Sequence, residues 1–346
     1  MSHGPVDCFA LGTPLHSAHG GDRVDIVRSS GTMNRETEQF DVRRIGPGCP
    51  DHLAALHLAL GVRLLRTGAP APAVSELVAS AARRSCPLTL VFGAYRHGKL
   101  ITAAVAAEYP GSAALVFHPT DPPGLGGQTA VVEALRQLQV AASRRPIRLL
   151  EALVPPAAPQ AGAALGEAGF RYLTRLQYLS RPGAYRDRDE HSASDLDWVG
   201  YADEAAPLFR RALELSYVES LDCPELAGLR QTDEVLAGHR ATGVFEPALW
   251  WVACRGGAPV GIGLLNRIGA DAGLEIVYLG VAKAARGTGV ADALLARIAA
   301  AARERSVRRV TLAVDHRNVP ALRMYRRWGF AKDAELEAWI ATIPGD

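Results

Sequence analysis

The chain has 346 residues, of which 48% are hydrophobic and 21% are charged, and its formal net charge at pH 7 is +2. This balance is ordinary for a globular protein with a sizeable core, and the length favours two domains. The small net charge and the lack of a long basic block give no sign of nucleic-acid binding. No apolar run approaches the about 18 residues of a membrane span, and no charged segment leads into an apolar one as in a signal peptide.

The five cysteines are an odd number and show no paired spacing. We therefore expect no disulfide framework and a cytoplasmic location. Residues 1–38 are rich in Gly, His and Ser and show no sustained periodicity, which predicts a flexible N-terminal tail.

An internal repeat organises the rest of the chain. Gly169-Phe170 and Gly329-Phe330 lie 329 − 169 = 160 residues apart, and the same offset places Leu150–Val154 on Val310–Val314. A period this long indicates two copies of one α/β unit rather than a solenoid. We predict a first copy over 39–182, a charged linker over 183–194 and a second copy over 195–346.

The first copy carries apolar runs at strand spacing and one helical pattern. Its predicted elements are strands around Val91-Phe92, Leu100-Ile101 and Val116-Phe117, a helix through Val131, Leu135 and Leu138, and strands Leu150–Val154 and Leu173–Leu179.

The sequence of the second copy predicts the same unit, with two helices before its hairpin. Thr232 is the predicted N-cap of the second of these helices. Its predicted elements are a strand Trp198–Tyr201, helices Glu204–Leu215 and Thr232–Arg240, a hairpin of Leu249–Cys254 and Pro259–Arg267 turning at Gly256-Gly257, a strand Ile276–Val281, a helix from Val290, a strand Arg309–Val314, a helix Pro320–Trp328 and a strand Glu335–Ile340. This order indicates an α/β unit with a central, largely antiparallel sheet.

A glycine loop, Arg286–Ala291, joins the strand Ile276–Val281 to the helix that begins at Val290. The first amides of a helix have no intrahelical acceptor and lie at the positive end of the helix dipole, so phosphates can bind there. The loop matches neither G-x-x-x-x-G-K-[ST] nor G-x-G-x-x-G, which argues against a nucleotide-phosphate enzyme and a dinucleotide fold.

The loop reads R-x-x-G-x-A and resembles the acyl-CoA pyrophosphate loop of the GNAT N-acetyltransferase superfamily. One helix downstream, N-x-x-A-x-x-x-Y-x-x-x-G-F, from Asn318 to Phe330, is similar to that family's second signature. The resemblance implies two tandem GNAT-like domains, each a mostly antiparallel mixed sheet flanked by helices. A tandem with a motif-free first copy is similar to the mycothiol synthases, but no motif here identifies their substrate.

The resemblance also implies a cofactor site for acetyl-CoA, which serves as acyl donor, and no metal. Loop amides with Arg286 would hold the pyrophosphate, strand backbone near Val281 would pair with the pantetheine arm, and Asn318 would contact that arm or hold the splayed strand. The implied cofactor-binding residues are Leu279, Val281, Arg286, Gly287, Thr288, Gly289, Val290, Ala291, Asn318, Ala321 and Tyr325.

Amine acetylation needs a base for the amine and an acid for the thiolate. Tyr325 occupies the family's general-acid position, although it could instead only pack as an aromatic side chain. Glu275 is the candidate base, acting directly or through water, because a carboxylate in an apolar strand is costly unless it is used or paired. Its alternative is a capping or ion-pairing role at a frayed strand start.

A polar loop before the hairpin is where an acceptor pocket with a specificity lid is expected. Tyr278 is a candidate substrate wall, pointing away from Glu275 and Leu279 if strand alternation holds. Trp250 and Trp251 should face core and pocket in turn. The predicted substrate-binding residues are Tyr217, Ser220, Asp222, Cys223, Arg230, Trp250 and Tyr278.

Two other kinds of chemistry are disfavoured. Cys223 lacks a neighbouring cation to lower its pKa, and GNAT transfer is direct, so a cysteine nucleophile is not expected. His239 and His316 have no second ligand at metal-binding spacing, so no metal site is expected.

The first copy lacks the polar groups of the two signatures. Its counterparts of Arg286, Gly289, Asn318, Tyr325 and Glu275 are Gly126, Thr129, Ala158, Leu165 and Leu115. We therefore predict a non-catalytic first copy, unless Gly124–Gly127 binds a cofactor through backbone amides alone.

The resulting hypothesis is an N-acyltransferase that moves an acetyl group from acetyl-CoA directly to a primary amine in a ternary complex. The alternative is a catalytically silent acyl-CoA-binding sensor or scaffold. We expect a small-molecule or peptide amine as acceptor, no nucleic-acid or membrane partner, and a monomer or homodimer.

Overall fold

The computed structural model describes residues 40–66, 88–120, 126–184, 195–268 and 273–344, apart from the side chains of 61–66 and Thr89. The predicted tail over 1–38, most of the linker and half of Gly124–Gly127 lie outside these residues. None of the helices described has the length and apolar character that a membrane span requires.

The first copy contains six strands and three helices within the described residues. They are β1 Asp41–Arg44, α1 His52–Arg66, β2 Leu88–Arg96, β3 Lys99–Tyr109, β4 Ala113–Phe117, α2 Gly127–Ala142, β5 Leu149–Val154, α3 Pro159–Glu167 and β6 Arg171–Pro182.

The second copy repeats this pattern with a pair of helices after its first strand. Its elements are β7 Asp197–Gly200, α4 Ala206–Tyr217, α5 Thr232–Ala241, β8 Val244–Arg255, β9 Ala258–Ile268, β10 Gly273–Val281, α6 Val290–Glu304, β11 Arg309–Asp315, α7 Val319–Arg327 and β12 Ala331–Thr342. The predicted elements are all present, with ends that differ by a few residues.

Two of those differences have clear local causes. Helix α5 is capped by Gln231 rather than Thr232, because the Glu234 side chain accepts the Gln231 amide at 2.8 Å in a capping box. Strand β8 begins at Val244, five residues before the predicted start, because Val244 pairs with Arg267 across a bulge.

All twelve strands described form one sheet in the order β1-β2-β3-β4-β5-β12-β6-β11-β10-β9-β8-β7. Only β4–β5 and β10–β11 are parallel pairs, so the predicted mixed, mostly antiparallel architecture is confirmed. Parallel neighbours need a crossover, and helices α2 and α6 supply it in the two copies.

The two copies exchange their last strands. Strand β12 of the second copy lies between β5 and β6 of the first, and β6 lies between β12 and β11. The register pairs Trp339 with Ala152 on one side and with Tyr172 on the other. The predicted boundary between 182 and 195 divides the chain, but the sheet does not divide there.

Helices cover both faces of the continuous sheet. In the second copy, α6 and α7 pack over Leu274, Ile276 and Leu312 on one face. Helices α4 and α5 cover Trp250 and Val277 on the other face. The region where β10 and β11 part lies between these two layers.

Candidate functional site

In the glycine loop that precedes helix α6, the Thr288 amide donates to the Ala285 carbonyl at 3.4 Å, whereas the amides of Gly287 and Gly289 have no backbone acceptor. Gly287 and Gly289 have φ values of +77° and +85°, which favour glycine, and no atom lies within 4 Å of the place a Cβ would take. The first helical hydrogen bond runs from the Ala293 amide to the Gly289 carbonyl at 3.0 Å. Apart from the Thr288 amide, the amides just before Ala293 therefore lack a backbone acceptor at the positive helix end, as a pyrophosphate site requires.

The Arg286 side chain is occupied by protein carbonyl groups. Its guanidinium donates to the carbonyls of Ser216 at 2.9 Å, Val218 at 2.7 Å, Glu219 at 3.0 Å and Val281 at 3.3 Å. The loop is thereby tied to the end of α4. Four of the five guanidinium N–H donors are engaged by these carbonyls, so the backbone amides of the loop are the main candidates for holding a pyrophosphate.

Thr288 stabilises the loop from within. Its hydroxyl donates to the Ala285 carbonyl at 2.8 Å and accepts from Arg255 at 3.3 Å. The side chain is therefore a structural part of the loop, and the Thr288 amide also donates to the Ala285 carbonyl, at 3.4 Å.

Strands β10 and β11 part after three residue pairs, Leu274 to Ile276 with Val310 to Leu312. Strand β10 nevertheless continues to Val281, still paired with β9, where Leu279 lies opposite Gly263 and Val281 opposite Gly261. The edge that faces β11 is open from there on. An extended ligand arm can add to such an edge through backbone hydrogen bonds.

A bulge at Val277 changes which way the next residues point. Ile276 pairs with Leu265 and Tyr278 with Leu264, so Val277 is the extra residue. Both Val277 and Tyr278 then pack on the α4 side of the sheet. The expectation that Tyr278 points away from Glu275 is wrong, because the bulge interrupts the alternation on which it depended.

Glu275 lies inside the sheet rather than at a frayed end. It is 5% exposed, and it lies opposite Asn266 on β9 and Thr311 on β11. Its Oε2 atom has no hydrogen-bond partner, and burial raises the pKa of the carboxyl to about 7. A carboxyl group with a pKa near neutrality can take and release a proton, as a general base must.

Tyr325 is buried on α7 with 6% of its surface exposed, and its ring meets Phe330 edge-on at 5.6 Å. It therefore does pack as an aromatic, as the alternative interpretation expected. Burial raises the pKa of its hydroxyl above the ordinary value, and the Asp222 carboxylate raises it further. The phenol stays protonated near neutral pH, which suits a proton donor.

The predicted acceptor loop is fastened to the end of β11 by Asp315. Asp222 Oδ1 accepts the Asp315 amide at 2.8 Å, and Asp315 Oδ2 accepts the Cys223 amide at 3.1 Å. Thr174, on strand β6 of the first copy, donates to Asp315 Oδ1 at 2.8 Å. Both copies thus contribute to the support of this loop.

Arg317 extends the network to Glu225. Its Nη2 atom lies 2.7 Å from Asp315 Oδ2 and 2.8 Å from Glu225 Oε2. The hydrogen bond from Arg317 lowers the pKa of Glu225. Burial alone would raise the pKa of Asp315, but hydrogen bonds from Arg317 and Thr174 hold it below its usual value.

Two predicted substrate residues, Tyr217 and Tyr278, are in ring contact. Tyr217 is buried with its ring 5.5 Å from that of Tyr278, whose hydroxyl lies 2.8 Å from the Ser216 hydroxyl. Ser220 Oγ accepts the Asp222 amide at 3.1 Å, so it shapes the loop locally. Arg230 donates to the Gly111 carbonyl of the first copy at 3.3 Å.

Two other predicted substrate residues have no exposed surface. Trp250 is fully buried and donates to Asn266 Oδ1 at 2.9 Å, so it is a core residue rather than a pocket wall. Cys223 is fully buried and disulfide-bonded. The expectation against disulfides therefore fails at this position, and the thiol is not available as a nucleophile.

Asn318 caps helix α7, accepting the Ala321 amide at 3.3 Å. It thereby starts the helix that carries Tyr325. Among the described residues, no group of three or more His, Cys, Asp or Glu side chains could hold a metal ion.

Asp315, Thr174 and Asn266 are parts of the site that the motifs did not indicate. Asn266 is a fully buried amide that bonds Trp250 and the carbonyls of His239 and Thr242. The sequence did contain a sign of the role of Asn266, because a polar residue in an apolar strand costs free energy unless it is hydrogen-bonded.

A cavity of about 580 Å³ lies in the first copy, away from all predicted site residues. It is lined by Arg44, Leu90, Phe92, Gln137, Val140, Ala141, Arg144 and Arg145. In the second copy Arg297 lies 4.8 Å from the Trp198 ring and 5.1 Å from the Trp251 ring. By strand register, Val42 and Phe92 of the first copy take the places of those two tryptophans.

Residues 215–330 match the model of the acetyltransferase (GNAT) family. The second copy is thus similar to a GNAT domain over these residues. Its matched segment runs from the end of α4 to Phe330 and includes the glycine loop, Glu275 and Tyr325. No curated protein matches the sequence.

Solved structures share the fold of the whole tandem. A GCN5-related N-acetyltransferase from Sphaerobacter thermophilus is 17% identical with a TM-score of 0.61, covering 89% of this chain and 97% of that chain. A tandem GNAT protein from the clavulanic acid biosynthesis pathway, without AcCoA, is 18% identical with a TM-score of 0.54, covering 89% and 100%. These identities establish likeness of fold alone.

A third likeness is to a glucosamine N-acetyltransferase region of a fungal multi-domain GH3 beta-N-acetylglucosaminidase. It is 13% identical with a TM-score of 0.59, covering 89% of this chain and 38% of that chain.

Proposed function

We propose that the chain is an N-acetyltransferase that binds acetyl-CoA in its GNAT domain and transfers the acetyl group directly to a primary amine. The observation that carries the proposal is that the amides of Gly287, Gly289, Val290 and Ala291 have no backbone acceptor, in the loop that follows the part of β10 no longer paired with β11. A pyrophosphate on the amides leaves the pantetheine arm to follow the free edge of β10 towards Glu275 and Tyr325.

The proposed reaction uses three proton transfers. Glu275 takes a proton from the ammonium form of the acceptor, directly or through water, and the free amine attacks the thioester carbonyl. The C–N bond forms, the C–S bond breaks, and the CoA thiolate receives the Tyr325 proton. The second proton that the nitrogen loses as it becomes an amide returns to the Tyr325 oxygen and restores the phenol. Near neutral pH the raised pKa of Glu275 gives a base, and the raised pKa of Tyr325 keeps a proton available.

We propose only the chemical class of the acceptor, which is a cationic primary amine. Asp222 places a carboxylate close enough to Tyr325 to raise the pKa of the phenol. A negative charge there also favours a cationic amine over a neutral or acidic acceptor. Amino acids, polyamines, aminoglycosides and peptide N-termini all have such an amine.

The test is calorimetric titration with acetyl-CoA, using Gly289→Asp and Gly257→Asp. Both glycines have positive φ, +85° and +79°, and open space around the missing Cβ, so backbone strain is matched. Only Gly289→Asp puts a carboxylate beside the amides. We expect one site per chain, with affinity lowered about tenfold or more, about 1.4 kcal/mol, in Gly289→Asp alone.

Turnover is then measured on a panel of lysine, spermidine, kanamycin and a tetrapeptide. One binding site with no turnover of any amine favours the acyl-CoA sensor. Two sites per chain would show that the first copy still binds cofactor. Equal loss of affinity in both glycine variants, or no binding by the unaltered chain, would overturn the proposal.

A further inference from the structure

The turn between β3 and β4 of the first copy lies against helix α5 of the second. Gly111 in this turn has a φ of +102°, and a Cβ there would overlap the Glu234 carbonyl and lie 3.2 Å from the Gly238 amide nitrogen. Gly238 faces the same turn, since a Cβ on it would lie 3.4 Å from the Pro110 carbonyl oxygen. Glycines on both sides allow the two backbones to approach closely.

Polar contacts hold the same interface. Ser112 Oγ donates to Glu234 Oε1 at 2.6 Å, and Arg148 lies 3.7 Å from the same oxygen. The other Glu234 oxygen accepts the Gln231 amide and caps α5. Arg230, just before the helix, donates to the Gly111 carbonyl. One carboxylate thus both starts the helix and binds it to the first copy.

The far side of α5 rests on the sheet face that carries Glu275. Asn266 Nδ2 donates to the carbonyls of His239 and Thr242, each at 2.6 Å, at the end of the helix. Asn266 lies directly opposite Glu275 on the neighbouring strand, and the His239 ring lies 5.5 Å from that of Tyr278. A shift of α5 therefore reaches the side chains next to the candidate base.

We propose that Gly111 and Ser112 of the first copy are positioning residues for the acceptor side of the second copy's site. The turn fixes α5, and α5 fixes the wall formed by Tyr278 and His239 beside Glu275. The inference rests on the proposed function, and it gives the copy without motifs a role in choosing the amine. Acetyl-CoA binding, on the loop before α6, does not depend on the turn.

The experiment compares Gly111→Ala with Gly98→Ala in the full chain. Gly98 has a φ of +75° in the β2–β3 turn of the same copy and no atom within 4 Å of a Cβ, so it matches the backbone strain without the contact. The readouts are amine KM with the panel amine that turns over fastest, acetyl-CoA affinity by calorimetry, and hydrogen exchange over residues 232–241.

In Gly111→Ala we expect amine KM to rise on the order of 10- to 100-fold, because small misplacements of a positioning wall have effects of that size. Exchange over 232–241 should be faster and acetyl-CoA affinity unchanged. Ser112→Ala should show the same pattern more weakly, and it replaces Gly111→Ala if that variant does not fold. Gly98→Ala should match the unaltered chain.

Unchanged exchange and unchanged KM in Gly111→Ala and Ser112→Ala would overturn the inference while the acetyltransferase proposal stands. An equal rise of KM in Gly98→Ala would also overturn it, as a general effect of strain. If no amine turns over, the proposed function fails separately, and the exchange over 232–241 alone decides whether the turn positions α5.

Discussion

Glu275 is the buried carboxyl group to which the proposed reaction assigns the base. Leu274 and Ile276 on either side face the α6 core, so the glutamate faces the opposite layer beside Asn266. An unpaired carboxylate there is costly, which is why burial raises its pKa to about 7. The same cost makes the residue a sensor of pH in the stability of the whole fold.

Glu275→Gln should remove a pH dependence of stability. The folded pKa of about 7 lies above the reference value of 4.5, so the folded chain keeps a proton that the unfolded chain releases. The contribution is full below about pH 4.5 and is lost as pH rises through about 7. From about pH 5 to about pH 8 the variant should gain about 3 kcal/mol relative to the unaltered chain.

Urea unfolding at those two pH values measures this difference. The kcat/KM of the unaltered chain should also rise through about pH 7, while the variant has a much lower and flatter profile. A variant and parent with parallel pH dependence of stability would show that Glu275 is not the buried titrating group.

The sequence indicated a candidate acid and base, but not their surroundings. Tyr325 was proposed from the spacing of the second signature, and Glu275 because it is a carboxylate in an apolar strand. The sheet face on which the Tyr278 side chain lies was predicted wrongly, because the alternation of apolar residues does not reveal the bulge at Val277. Asp315 was missed because its partners come from three separate segments of the chain.

At the scale of elements, the junction of α4 with the glycine loop depends on one arginine. Arg286 gathers three carbonyl groups that follow or end α4 and a fourth from β10. The last carbonyls of a helix lack intrahelical donors, so a guanidinium with five donors satisfies several at once. Arg286 therefore joins the end of α4 to the glycine loop.

Arg286→Lys should loosen this junction although it keeps the charge. A lysine has three donors on one atom and cannot reach carbonyls spread along a fork, so at least two lose their partner. We expect a loss of about 1–3 kcal/mol in the free energy of unfolding, measured in urea, and faster exchange at 216–219.

Lys283→Ala is the matched control for that experiment. Lys283 forms an ion pair with Glu219 in the same segment, with both side chains more than half exposed. Exposed pairs contribute little, so this variant should stay within about 0.5 kcal/mol of the parent. Equal effects of the two substitutions would mean that charge, rather than the guanidinium geometry, holds the junction.

Most elements were predictable because their apolar periodicity and turn glycines are local. The hairpin turn at Gly256-Gly257 was predicted because a glycine pair readily adopts the positive φ that tight turns need, and both residues have positive φ in the structure. The N-cap of α5 was assigned one residue late, because Gln231 with Glu234 replaces the more common serine, threonine or aspartate.

At the scale of the molecule, the exchange of β6 and β12 makes one sheet from two copies. The repeat of 160 residues predicted two similar units, and the fold class followed from it. Which copy's last strand lies next to β5 is not a property of either strand's sequence, since both are apolar on alternate residues. The strand that lies next to β5 is decided only when both copies in the chain assemble into the sheet.

The exchange predicts that the halves hold together without a covalent link. A protease site placed between residues 184 and 195, cut in the folded protein, should leave the two pieces co-eluting on size exclusion. Residues 39–182 expressed alone should aggregate or unfold, because β5 and β6 lose the strand between them. Two separate, folded monomers after cutting would contradict the exchange.

Strand β5 is synthesised on the ribosome long before its partner strand β12. All six of its residues, Leu149–Val154, are buried in the finished protein, and the neighbour that covers one edge, β12, is Ala331–Thr342. Domains usually begin to fold as they emerge. Here the first half is made long before its sheet can close, so an unpaired, apolar edge persists in the nascent chain until the last strand arrives.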